Sequence, residues 1–161
     1  MSSCAVDAYL GLGSNEGDRR QNIESALSML ERLDEIHLDM VSEIIETEPW
    51  GFSAEQNFLN CVARVTVGDG VSPYWLLDRC KGIETELGRR EYIEFGPDGN
   101  RIYHSRPLDI DILLFGNIRI DSGRLVIPHP LMRDRDFVMI PLRQVATEAV
   151  ISNFPDIFTG A

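Results

Sequence analysis

Residues 108–116, LDIDILLFG, constrain this chain more than any other stretch. Apart from two carboxylates the run is continuously apolar. It falls far short of the roughly 18 residues that span a bilayer, and it is too apolar for a strand with one wet face. It predicts a central strand covered on both sides. Asp109 and Asp111 then point to the same side, about 6.5–7 Å apart, while Leu108, Ile110 and Ile112 turn the other way into apolar packing. Two carboxylates aimed together from a buried strand repel, so a shared proton, arginines or divalent cations must offset them. Oxygen donors two residues apart suit magnesium on a polyphosphate, because magnesium takes one or two carboxylates and fills its shell with water and phosphate oxygens. The competing reading is a pair at an exposed strand end, simply solvated.

The elements around this strand come from periodicity and turn chemistry. Residues 5–12 predict a strand ending in a glycine turn. Residues 18–33 predict a helix on the stripe Ile23, Ala26, Leu27, Leu30 and Leu33. Residues 36–48 predict a strand stopped by Pro49, and 58–67 a half-buried strand. Ser72-Pro73 predicts an N-cap and first helical residue, with the helix running to about Leu87 and Gly88 as its stop. Residues 89–107 show no periodicity, and a stretch that long is usually functional or disordered. Residues 123–127 predict a short strand, and 127–146 a loop leading into short helices. The order β-α-β-β-α-β is the split βαβ, ferredoxin-like order. It predicts one α+β domain over residues 1–161, with helices mainly on one face of the sheet and extra C-terminal elements.

The net charge of −11 disfavours nucleic acid and anionic membranes as partners. Three well-separated cysteines, Cys4, Cys61 and Cys80, predict buried thiols in a reducing compartment rather than a disulfide framework. The N-terminus has no basic segment before its apolar stretch, so a cytoplasmic location is expected. Charge is unevenly distributed: residues 1–60 hold 12 acids and 3 bases, whereas residues 89–143 hold 9 bases, all arginine, against 8 acids. Arginine is the planar, bidentate residue for phosphate and carboxylate.

Spacing gives these arginines a context. Arg89 and Arg106 bracket the long aperiodic stretch that leads into the two aspartates. Arg124 precedes a short strand, and Arg133 and Arg135 follow His129, which two prolines pin in place. A loop with arginines at both ends could fold over a nucleotide and bring charge to a phosphate. Phe58 and Asn60 share a strand face, a pairing that suits a flat heterocycle: the ring stacks and the amide reads an edge. Phe58 and Phe137 could equally be ordinary core. The glycine turn 11–17 with Asp39 beyond it suggests a dinucleotide site, but the spacing is GxGxxxG and adjacent strands follow. No P-loop and no metal-spaced histidines occur.

Taken together, AYLGLGSNEGD, ETEPWG, NFLNCV, IETELGR, SRPLDIDILLFG and IPHPLMRDRDFVMIPL make the chain resemble the 6-hydroxymethyl-7,8-dihydropterin pyrophosphokinases over residues 8–146. The resemblance implies a ferredoxin-like fold and transfer of pyrophosphate from ATP to the pterin hydroxymethyl group. By position, Asp109 and Asp111 resemble the ligands of two magnesium ions, and Arg89 and Arg106 the catalytic-loop arginines. Phe58 and Phe137 resemble the rings that sandwich the pterin, with Asn60, Thr47 and backbone near Trp50 reading its edge. Lys81, Glu84, Ile112, Arg124, His129 and Arg135 match ATP-binding positions. The resemblance implies small-molecule substrates only, and a monomer or weak dimer. A non-catalytic pterin- or nucleotide-binding module is the alternative. The chain departs from the pattern in a longer 89–106 stretch without tryptophan, and in Val126 and Pro130, where a hydroxyl residue and a tyrosine are usual.

Overall fold

A computed structural model of the chain describes residues 5–48, 57–88, 94–95, 97, 101–102 and 107–158. β1 (Val6–Ser14) leads into α1 (Arg19–Glu31), whose N-cap Asp18 accepts the Gln21 N–H. β2 (Ile36–Val41) and β3 (Ile45–Thr47) follow. The single strand predicted over 36–48 is thus two. Ser42 separates them: its N–H donates to the Val62 carbonyl and its Oγ accepts the Val62 N–H, so the side chain fills one place in the ladder. β4 (Phe58–Val67) matches its predicted bounds. α2 (Pro73–Glu86) has Ser72 as its cap, accepting the Trp75 N–H, and ends at Gly88, whose φ of +103° a side chain would resist. Within the aperiodic stretch, β5 (Glu94–Phe95) and β6 (Arg101–Ile102) pair antiparallel, a short hairpin the sequence pattern did not announce.

β7 (Asp109–Phe115) is the aspartate strand. β8 (Ile120–Asp121) and β9 (Val126–Ile127) form a second small hairpin. A short 3-10 turn (Met132–Asp134) leads into α3 (Asp136–Val145), then α4 (Glu148–Asn153) and α5 (Pro155–Phe158).

The main sheet runs β2-β4-β1-β7, with β3 also on β4, and every pairing is antiparallel. This is the ferredoxin-like order. β7 therefore lies at the end of the sheet rather than in the centre as expected. Its apolar run is still explained, because both its faces are covered. Leu108, Ile110 and Ile112 pack into a core beneath α1 and α2, with Leu10, Leu12, Leu30, Ala63 and Leu76. Leu113 and Leu114 pack into a second core with Tyr9, Val62, Val138, Leu142 and Phe154. The two leucines share a side because the β1–β7 register slips: Tyr9 pairs Leu114 and Leu10 pairs Ile112, leaving Leu113 as an extra residue.

The second core corrects the expectation of helices mainly on one face. α3 to α5 lie on the opposite face from α1 and α2, giving three layers. Thr147 joins them to the sheet: Tyr9 Oη accepts the Thr147 N–H at 3.2 Å. Cys61 and Cys80 are free and buried in the first core, as expected; burial pushes the Cys61 thiol up to about 12.

Candidate functional site

The register of β1 builds the site. Gly13 stands opposite Asn60 of β4 on one side and Asp109 of β7 on the other, and Gly11 stands opposite Val62 and Asp111. Cross-strand partners share a face. Asn60, Gly13 and Asp109 are therefore one row, with Phe58 beyond Asn60 and Asp111 behind Asp109. With strands about 4.8 Å apart, the row spans roughly 10 Å. It occupies the face of the second core. α3 packs over β4 on that face. Toward its C-terminal end, Arg64 of β4 donates to the Val145 carbonyl at 2.6 Å, and Gln144 accepts the Glu43 N–H from the link between β2 and β3. The glycine turn expected at residues 11–17 is thus partly wrong. The strand continues through both glycines to Ser14, and the turn starts only after it.

On the β4 side, the β3–β4 hairpin brings Thr47, Phe58 and Asn60 together. Thr47 pairs with Phe58 across the hairpin. Asn60 is 7% exposed, and its Nδ2 donates to Thr47 Oγ1 at 2.8 Å. That bond turns Asn60 Oδ1 toward β1, where a Cβ added at Gly13 would lie 2.9 Å from it. Arg19, at the start of α1, holds the hairpin from outside: Nη1 donates to Glu46 Oε2 and to the Asn57 carbonyl, both at 2.8 Å. Phe137 lies at the start of α3, half-buried against the second core, with the Arg135 guanidinium 5.5 Å from its ring centre. Trp50 lies outside the described residues.

On the β7 side, Asp109 and Asp111 are both half-buried, neither sealed in nor simply solvated. The peptide between them is tied down. The Ile110 N–H donates at 2.7 Å to Oε2 of Glu84, a carboxylate only 3% exposed on α2. Glu84 thereby satisfies a donor that β7, as the last strand, cannot give to a neighbouring strand. The Leu113 carbonyl on the same edge accepts the His129 N–H. His129 Nδ1 accepts the Leu131 N–H at 3.3 Å, which leaves the neutral ring's proton on Nε2. Burial first, then the Arg135 charge, hold the His129 pKa below its ordinary value, while Asp109 pulls it upward. His129, Arg135 and Asp109 thus share one electrostatic neighbourhood.

The remaining expected residues divide. Ile112 is buried in the first core, on the opposite face from the carboxylates. Its peptide groups follow Ile110 by the strand period of two and lie on the outer edge of β7. Arg124 pairs with Asp78 of α2 at 2.5 Å and stands 5.5 Å over the Tyr74 ring, so it belongs to the α2 surface. Lys81 is exposed on the same helix. Arg89 and Arg106 lie outside the described residues. The dinucleotide reading fails: β4 separates β1 from β2, and Asp39 accepts from Thr66 Oγ1 near Arg64 and His37. A dinucleotide βαβ unit needs parallel neighbours. Sequence reasoning missed Gly13, Arg19 and the attachment of Glu84 to β7. Only the glycines carried a signal, as small residues inside a strand.

Fold and row together define a ferredoxin-like α+β protein whose sheet face sets a carboxylate pair two strands from a hairpin that holds a buried asparagine amide. The family model for 7,8-dihydro-6-hydroxymethylpterin-pyrophosphokinase matches residues 9–147, and the chain belongs to that family. It is 44% identical to the 2-amino-4-hydroxy-6-hydroxymethyldihydropteridine pyrophosphokinase of Porphyromonas gingivalis, over 86% of this chain and 89% of that one. It is 36% identical to the Bacillus subtilis protein of the same name, over 88% and 78% respectively. The fold is also that of a crystal structure titled as HPPK-DHPS in complex with substrates, with a TM-score of 0.57 at 16% identity, covering 93% of this chain and 43% of that one.

Proposed function

We propose that this chain transfers pyrophosphate from ATP to the hydroxymethyl oxygen of 6-hydroxymethyl-7,8-dihydropterin, releasing AMP, as a step of folate biosynthesis. The observation that carries the reading is the row Asn60–Gly13–Asp109, which sets a ring-reading amide two strands from a carboxylate pair. The pterin stacks between Phe58 and Phe137, with Asn60, Thr47 and the backbone near Trp50 at its edge. The nucleotide lies along the β7 side, near His129, Arg135, the peptide groups of Ile112, and Glu84, with Lys81 at the margin. Arg124 reaches it only by releasing Asp78.

Asp109 and Asp111 fit magnesium. They offer two hard oxygen donors, and among the described residues no cluster of three or more possible metal ligands forms. That donor set suits an ion that keeps water and takes phosphate oxygens. When bound, two such ions neutralise charge on the reacting phosphates.

The chain's own residues align the reactants. The hydroxymethyl oxygen forms a bond to the β-phosphorus while the bond from that phosphorus to the α,β-bridging oxygen breaks. The bridging oxygen leaves with AMP, and the alcohol releases one proton. His129 Nε2–H and Arg135 donate toward phosphate oxygens, and Arg89 and Arg106 bring further positive charge. Such chemistry is mostly positioning and charge neutralisation. The free, buried Cys61 and Cys80 support a reducing, cytoplasmic setting. The test is AMP release from ATP and magnesium, with and without the pterin. AMP that appears only with the pterin supports the reading; pterin binding without AMP makes the chain a binding module.

A further inference from the structure

We propose that Gly13 is a positioning residue for the pterin: its bare Cα lets the Asn60 amide lie in the plane that reads the ring edge. The inference rests on the proposed function and deepens it.

Gly13 lies within β1, and φ is not its constraint, because its backbone is ordinary extended chain. What requires glycine is the space above it. A Cβ there would come within 2.9 Å of Asn60 Oδ1 and 3.5 Å of Phe58 Cδ1. The first contact is shorter than real Cβ atoms show, so Asn60 must move. Asn60 cannot rotate freely, since its Nδ2 is held by Thr47 Oγ1 at 2.8 Å. The amide is thus fixed from the hairpin side and accommodated from the β1 side. An alanine at position 13 would displace the end of one short side chain and no backbone. The fold can absorb that shift, but an amide aimed at a ring edge cannot, because misdirecting a donor and an acceptor loses both hydrogen bonds. Gly11, one row away, is different: a Cβ there meets only Leu113 carbons at 3.5 Å or more, ordinary contact.

The experiment is a double-mutant cycle between Gly13→Ala and Asn60→Ala. It reads binding of 6-hydroxymethylpterin and, separately, of a magnesium-bound ATP analogue with a methylene α,β-bridge. Gly13→Ala is expected to weaken pterin binding about tenfold or more, with nucleotide binding within about twofold of the parent. In the Asn60→Ala background the same change should cost less than about twofold, because the atom it displaces is gone. Should Gly13→Ala alone not fold, the double variant is expected to fold and to bind pterin as Asn60→Ala does. The inference is overturned if Gly13→Ala binds pterin like the parent. It is also overturned if the loss is undiminished without the Asn60 amide, or if the double variant fails to fold. A parent protein that binds no pterin sinks the functional reading instead, so the two failures are distinct.

Discussion

At the residue scale, two groups near the row carry different burdens. Asp109 and Asp111 are half-buried acids on the face of the row, and they are the residues proposed to hold magnesium. Asp109→Ala and Asp111→Ala should each lower turnover on the order of a thousandfold while the folded protein still binds pterin. Steady-state AMP release beside pterin titration checks this; unchanged turnover in either variant would remove the metal assignment. His129 carries a pH dependence. Its folded pKa lies below the ordinary 6.5, so the folded state binds fewer protons than the unfolded chain as pH falls past that value. The stabilising contribution is full above pH 6.5 and is lost as pH falls through the folded pKa. His129→Asn keeps an acceptor for the Leu131 N–H but no titrating ring. Urea melts of the parent from about pH 7 to about pH 5 should show a slope that this variant lacks in part. Equal slopes would mean the ring titrates alike in both states.

At the element scale, the β3–β4 hairpin is the part most dependent on outside support. β3 has three residues, too few to hold a register alone. Arg19 joins its two ends through Glu46 and the Asn57 carbonyl, immediately before Phe58. Exposed ion pairs contribute about 0–1 kcal/mol to stability. Arg19→Ala should therefore leave the melting temperature nearly unchanged while weakening pterin binding about fivefold, with nucleotide binding intact. Glu46→Ala, which leaves the bond to the Asn57 carbonyl, should do less. Isothermal titration with each ligand decides it, and equal losses for both ligands would contradict it. Most elements were legible because local signals point one way: the Ser72-Pro73 cap, the α1 stripe and the β4 alternation all held. The break at Ser42 was not legible, because a side chain standing in for a ladder bond leaves the apolar pattern unchanged. Nor was the clamp, since Arg19 is distant in sequence from both partners. The aspartates and Asn60 were legible because charged or amide groups interrupt apolar strands. Gly13 was misread as a turn, because a missing side chain looks the same whether a bend or a neighbour requires it.

At the scale of the whole molecule, the two faces of the sheet take unequal shares in the row. The α1/α2 face carries a core with no part in the row, whereas the second face carries both a core and the site. Leu30 on α1 and Leu142 on α3 are both fully buried, one on each face. Either leucine cut to alanine should cost about 2–5 kcal/mol, a large share of the roughly 5–15 kcal/mol that holds a domain together. The consequences for ligand should differ. Leu142 packs α3 into the second core, and α3 carries Phe137, the ring proposed to stack on the pterin. Loosening it should weaken pterin binding beyond what unfolding explains. Leu30→Ala should leave the pterin affinity of the folded fraction unchanged. Denaturant melts give the stability of each variant, and titration at a temperature where both remain folded gives the affinity. Equal pterin affinities in the two variants would show that α3 does not set the ring's position. A loss confined to Leu142→Ala would show that the C-terminal helices, which lie outside the βαββαβ order, are what turn a common sheet into a binding site.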